Sequence, residues 1–219
     1  MSGGIIIVAL ILMALAGRGG AKKPSGGGGG NGGARPNRRP PPPEYRLMVE
    51  RAAVRHEEFT SEAPLLGLIE HESAHTWDPT IRSPTGALGL GQFTRIGAAE
   101  VRRILTLPAW RKRYEIAPAL RTKLAGFQKD PDARDAELSI EAAAVYLAHL
   151  LDKWDGNLEA ALTEYNAGGV AAAIVARNGT HAAAVAELRA LPPEKRSQSD
   201  VYAPAVLAEV QRFATEGAA

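Results

Sequence analysis

The 219 residues include no cysteine, which excludes a disulfide scaffold, a thiolate nucleophile and any Cys-ligated metal. Apolar content is ordinary at 45%, aromatics make up only 5%, and abundant alanine with few β-branched runs favours helices over strands. The net charge of +2 is unevenly spread: residues 1–43 carry Arg18, Lys22, Lys23, Arg35, Arg38 and Arg39 and no acid, leaving −4 on the rest. The basic character therefore belongs to an arm, and no nucleic acid is expected to bind the globular part.

Residues 1–16 form a hydrophobic segment whose core, Ile5 to Ala16, is free of charge. As a helix, a dozen residues span roughly 18 Å, short of a hydrocarbon core of about 30 Å. Three readings stand: an uncleaved membrane anchor or insertion segment, a signal cleaved after Ala14-Leu15-Ala16, and a helix buried against protein. The cations follow the apolar run and none precedes it. Residues 17–43, rich in Gly and Pro, read as a flexible basic linker with too little apolar surface to order itself. Free, it would reach on the order of 30 Å.

From residue 44 to 219 the pattern becomes globular and helical. A helix over Glu44–Phe59 places Leu47, Val54 and the Met48/Ala52 pair on roughly one side. Pro64 suits the first turn of a strongly apolar helix, Pro64–His75. Ile96–Leu105 is short and amphipathic. Leu107 to Asp135 is polar and irregular, with one helix near Pro118–Phe127. Ala136–Trp154 is the longest helix, with Ile140, Ala143, Ala144, Leu147, Leu151 and Trp154 on one face. Leu158–Tyr165, Val170–Arg177, His181–Leu188 and Val201–Thr215 complete the set, with a polar loop over Pro192–Asp200. No repeat and no alternating pattern longer than four residues is present, so the fold class is all-α.

The chemistry concentrates in Leu65 to Phe93. Glu72 ends an apolar helix, with Leu65, Leu66, Leu68 and Ile69 behind it. A carboxyl against apolar surface loses solvation of its charged form, its pKa rises, and it becomes a usable general acid near neutral pH. Ser83-Pro84-Thr85-Gly86 and Gly89-Leu90-Gly91 read as tight turns that let backbone approach a ligand, with Gln92 supplying an amide. Ser73 either bonds Glu72 or the substrate, or caps the helix end. Asp78 reads as a loop or capping acid, and Glu70, two residues from Glu72, should face elsewhere. His56, His149 and His181 read as surface or helix-face residues.

His71-Glu72-Ser73-Ala74-His75 also matches H-E-x-x-H, in which two histidines one helical turn apart bind zinc and the Glu is the base. No third histidine follows at a suitable spacing, Glu100 is the only distant carboxylate to hand, and Pro79 closes the helix early. A zinc metalloprotease is therefore carried only as the lesser alternative.

Glu72-Ser73, Gly86-Ala87 with Gly89-Leu90-x-Gln92, and Tyr165-Asn166-Ala167-Gly168 together resemble the three ordered motifs of the lytic transglycosylase SLT domain, the goose-type lysozyme-like fold of glycoside hydrolase family 23. The resemblance runs from about Tyr45 to Phe213. The family's second motif usually has Met where this chain has Gly91. The resemblance implies an all-helical lysozyme-like domain that cleaves peptidoglycan glycan strands without a cofactor or metal. Glu72 would be catalytic, and Ser73, Gln92, Tyr165, Asn166 and Tyr202 would bind substrate. It implies 1,6-anhydro ring formation at the bond between N-acetylmuramic acid and N-acetylglucosamine, with a hydrolase of the same fold as the rival. A cell-envelope location on the periplasmic side, membrane-associated through residues 5–16, is expected, with a phage virion as the alternative setting. A secretion apparatus or phage particle is the expected assembly partner, and a structural component of such an assembly, without activity, is a further rival.

Overall fold

The computed structural model describes residues 39–114, 117–192 and 200–217. Almost all of the hydrophobic segment and the linker fall outside these residues, as does most of the polar loop after Pro192. The described chain is helical, and no strand is formed among the described residues. Two isolated antiparallel bridges, Arg82 with Leu88 and Leu88 with Phe93, close the loop after Glu72.

The helices are α1 (Pro43–Val54), α2 (Ala63–Glu72), α3 (Arg95–Ile104), α4 (Pro108–Arg113), α5 (Pro118–Ala125), α6 (Ala136–Lys153), α7 (Leu158–Ala167), α8 (Gly169–Asn178), α9 (His181–Ala190) and α10 (Tyr202–Glu216). A 3-10 turn, Asp132–Arg134, leads into α6. Their starts follow elementary capping chemistry. Thr94 accepts from the Gly97 amide, Asp135 from Leu138, Asn157 from Ala160 and Thr180 from Ala183, each satisfying a first-turn N–H that has no partner inside its own helix.

Helix α6 is the axis of the domain. It touches α1, α2, α3, α5 and α7, and the run Ala142, Ala143, Ala144 is fully buried. Small side chains let neighbours close in on several sides of one helix, which accounts for burial beyond the single face read from the sequence. Helix α10 lies along α2 and also meets α7. That crossing needs Gly67: a methyl group there would sit 2.5 Å from the Val210 side chain. Helices α8 and α9 add a smaller apolar cluster around Ala171, Ile174, Val175, Ala184 and Leu188, shared with Ala160 and Ala167 of α7.

Several expectations need correction. Helix α1 stops at Val54, and its buried face is Val49, Ala52 and Ala53, whereas Leu47 is 45% and Val54 is 88% exposed. Helix α4 forms inside the stretch read as irregular, with a proline in its first turn and Trp110 buried. Helix α2 ends at Glu72, three residues early. His56 and His181 are buried, not superficial. His56 Nε2 meets Tyr114 Oη at 3.0 Å, and Tyr114 Oη in turn donates to Glu141, the partner of Arg55. Burial, with Arg113 and Arg55 nearby, pushes the His56 imidazole down to about 3.

Candidate active site

Glu72 is the last residue of α2 and is 5% exposed. Tyr202, the first residue of α10, donates its hydroxyl to Glu72 Oε1. The close crossing at Gly67 brings these two helix ends together, and the Tyr202 ring also stands edge-on against His71 at 5.0 Å. Burial raises the Glu72 carboxyl to about 7, against the opposing effect of the Tyr202 hydrogen bond. A carboxyl with that pKa gives up a proton and takes one back with little driving force either way near neutral pH.

The loop after Glu72 folds back on itself. Ala87 N–H donates to Ser83 Oγ at 2.9 Å, and Leu88 and Phe93 exchange both backbone bonds. This turns Gln92 into the left-handed region, at φ 47°. The Gln92 amide nitrogen donates to Gly89 O at 2.8 Å and Ile81 O at 3.3 Å, while its Oε1 is buried with no protein partner. Two helices hold this loop from outside: Gly91 N–H donates to Ser139 Oγ of α6 at 3.2 Å, and Tyr165 Oη of α7 donates to Gly91 O at 2.9 Å. No side chain fits at Gly91, since a methyl group would lie 2.6 Å from the Phe93 ring and 3.2 Å from Ala143.

Tyr165 and Asn166 lie within α7, which runs on to Ala167. Burial and the charge of Glu72 raise the Tyr165 phenol well above its usual range, so the third motif lies within the field of the acid. Asn166 is 9% exposed, and its Oδ1, like Gln92 Oε1, is buried without a protein partner. Two buried acceptors without a protein partner, one on the second motif loop and one next in sequence to Tyr165, are suited to a ligand rich in hydroxyl and amide donors.

The profile of the transglycosylase SLT domain matches residues 52–184. The chain belongs to the SLT domain family. Membership makes it a glycosidase-type enzyme of peptidoglycan degradation, with peptidoglycan as its substrate. No curated protein matches the chain. The matched span holds Glu72, Gln92, Tyr165 and Asn166 but ends before Tyr202, whose place on the acid only the fold discloses.

Three more residues near Glu72 in sequence, Ser73, Glu70 and Asp78, take particular positions. Ser73 does not reach Glu72: its hydroxyl donates to Glu70 O at 3.4 Å and accepts from Trp77 N–H at 3.3 Å. The helix-end alternative therefore describes its bonds. Glu70, expected to face elsewhere than Glu72, is wholly buried and bonds a different set of partners. Its carboxylate accepts from Trp77 Nε1, meets His75 Nδ1 at 3.1 Å, and lies 3.4 Å from Arg212 of α10. Asp78 does behave as a loop acid, accepting from the Thr80 amide and hydroxyl at 2.8 and 2.7 Å, bonds that hold its carboxyl low.

The zinc reading fails on backbone geometry. Ala74, His75 and Trp77 have φ of 51°, 64° and 55°, so the helix has ended and His75 is not one turn above His71 on a shared face. Glu100 is engaged by Arg103 at 2.6 Å. His75 does fall within 4.8 Å of Glu70 and Glu209. That group already includes a cation, Arg212, which lies 3.3 Å from Glu209.

Proposed function

We propose that the protein is a lytic transglycosylase that cuts the β-1,4 bond between N-acetylmuramic acid and N-acetylglucosamine and closes a 1,6-anhydro ring. Protonated Glu72 gives its proton to the glycosidic oxygen, and the bond to C1 of the muramic sugar breaks. The acetamido oxygen of the same sugar stabilises the developing cation. The Glu72 carboxylate then takes the proton of the 6-hydroxyl as O6 bonds to C1. Glu72 ends as it began, and no water is consumed. Gln92 Oε1 and Asn166 Oδ1 accept from substrate hydroxyl or amide groups, and Tyr202 steadies the carboxylate between its two roles.

One observation carries this reading: the Glu72 shift has burial and Tyr202 as its causes, and no carboxylate among the described residues contributes. Two-carboxylate glycosidases place their acids about 5–9.5 Å apart. A lone acid suits a mechanism in which the substrate supplies its own stabilising group. Mass spectrometry of the muropeptides released from purified murein tests it. Anhydro ends are expected, and products heavier by one water identify a lysozyme-type hydrolase instead.

The setting we propose is the cell envelope, on the periplasmic side, with residues 5–16 attaching the enzyme to the membrane and the linker letting it search nearby murein. Carriage in a secretion apparatus or phage particle, opening the wall locally, is the alternative. No helix among the described residues is long and apolar enough to cross a membrane, and residues 5–16 lie outside them. A mature chain beginning at Gly17 by intact mass would overturn the membrane attachment.

A further inference from the structure

Beside the second motif loop is a cavity of about 680 Å³ with an unusual electrostatic lining. One wall is a face of α3, where Arg95, Ala98 and Arg102 recur at helical spacing and the small Ala98 leaves room between the two guanidinium groups. The other wall is the segment after α5, including Gly126, Lys129 and Asp130. Arg102 donates to Phe127 O at 2.5 Å, tying the walls together. Asp130 is engaged from outside by Arg82 at 3.4 Å and Arg134 at 3.3 Å. Arg95, Arg102 and Lys129 have no ion pair among the described residues, although the chain from residue 44 onward has an excess of acids. Three cations left over at one cavity form a site for an anion, and guanidinium forks match the geometry of a carboxylate or a phosphate.

The cavity is also fixed to the candidate active site. A methyl group on Gly86 would lie 3.7 Å from Lys129 Nζ, and the Phe127 ring stands edge-on to Phe93 at 5.0 Å, next in sequence to Gln92. The cavity thus adjoins the loop that holds Gln92, and an anionic part of a bound polymer could reach it from there. On the peptidoglycan read under the proposed function, on which this inference rests, the lactyl group of the muramic sugar is amide-bonded to a peptide stem whose own residues carry free carboxylates. We propose that this cavity binds stem-peptide carboxylates, making the enzyme selective for glycan that still bears peptides.

The test compares the full chain with an R95Q/K129Q variant, leaving Arg102 and its Phe127 bond intact. The substrates are peptide-bearing murein and the same murein stripped to its glycan by an amidase. The variant is expected to lose about tenfold in kcat/KM on peptide-bearing murein, chiefly through KM, and to equal the parent on stripped glycan. An equal loss on both substrates, or no loss on either, overturns the proposal. In parallel, a free stem tetrapeptide and inorganic phosphate are titrated separately into the inactive E72Q protein by NMR. Tetrapeptide binding that R95Q/K129Q abolishes supports the inference. Saturable binding of phosphate alone overturns it and gives the cavity to wall phosphates. Because the titration needs no turnover, a parent inert on both mureins would refute the proposed function while the cavity is still read directly.

Discussion

Glu72→Gln should make the domain more stable in alkali while abolishing its activity. Burial lifts the Glu72 carboxyl from its ordinary 4.5 to about 7. Between those values the native protein holds a proton that the unfolded chain has released, so the native state binds more protons and stability falls as pH rises through this window. At about 1.36 kcal/mol per pKa unit, ionising Glu72 costs the fold roughly 3 kcal/mol once the pH is well above 7. Glutamine has the shape of the protonated acid, retains an oxygen to accept from Tyr202, and never ionises. The variant should match the parent near pH 4.5 and exceed it by up to ~3 kcal/mol at pH 9, or roughly 6–12 °C in Tm for a domain of this size. Thermal unfolding followed by circular dichroism across pH 4.5–9 measures this, and clearance of murein turbidity should fall to background. A stability difference that does not change with pH, or a glutamine variant that still clears murein, would refute the reasoning.

Tyr202→Phe removes a hydrogen bond that favours the ionised Glu72; the alkaline limb of the pH–rate profile should move upward and activity fall roughly 10–100-fold, and an unmoved limb would count against the contact. Gly91→Met restores the family's usual residue where the Phe93 ring leaves no room, so denaturant unfolding should register a loss of about 1–3 kcal/mol; unchanged stability would mean the loop yields freely. The His56 imidazole titrates near 3 in the fold but near 6.5 when unfolded. The unfolded chain therefore takes up the proton first, and stability should drop as pH is lowered from 6.5 towards 3. His56→Gln should flatten that acid slope, and a variant with the parent's slope would locate the titration elsewhere.

The helical class, the long α6 and the order of the motifs were legible because each has a local signal: 3.6-residue periodicity, a capping residue, or a Gly-rich turn. What stayed hidden was decided by partners remote in sequence. The face of α1 is such a case. Leu47 and Val54 are the more apolar side chains, yet Val49, Ala52 and Ala53 are buried, because α1 lies against the small residues of α6 and the smaller stripe permits the closer approach. His56 likewise has nothing in its neighbourhood to predict burial. Its partner, Tyr114, is supplied 58 residues away by the end of α4, a helix hidden among prolines and cations.

The site was legible in its acid and less so in what positions that acid. An apolar helix ending in Glu72 announces a raised pKa by itself. The resemblance named Tyr202 as a substrate binder, but its bond to the acid required the fold, because 130 residues separate it from Glu72 and only the α2–α10 crossing at Gly67 closes the distance. The H-E-x-x-H match shows why spacing along a chain is not yet geometry: the pattern presumes a helix through His75, but two side chains, Glu70 and Ser73, draw in the residues just after Glu72. Glu70 draws His75 and Trp77 inward through their ring nitrogens, Ser73 Oγ takes the Trp77 amide, and the chain turns left-handed at Ala74, His75 and Trp77. A left-handed residue without glycine's freedom is disfavoured by roughly 1 kcal/mol or more, so the conformation persists only because buried bonds hold it. The Glu70 carboxylate, two residues from the acid and bonded to other partners, thus determines where α2 ends and where the motif loop begins.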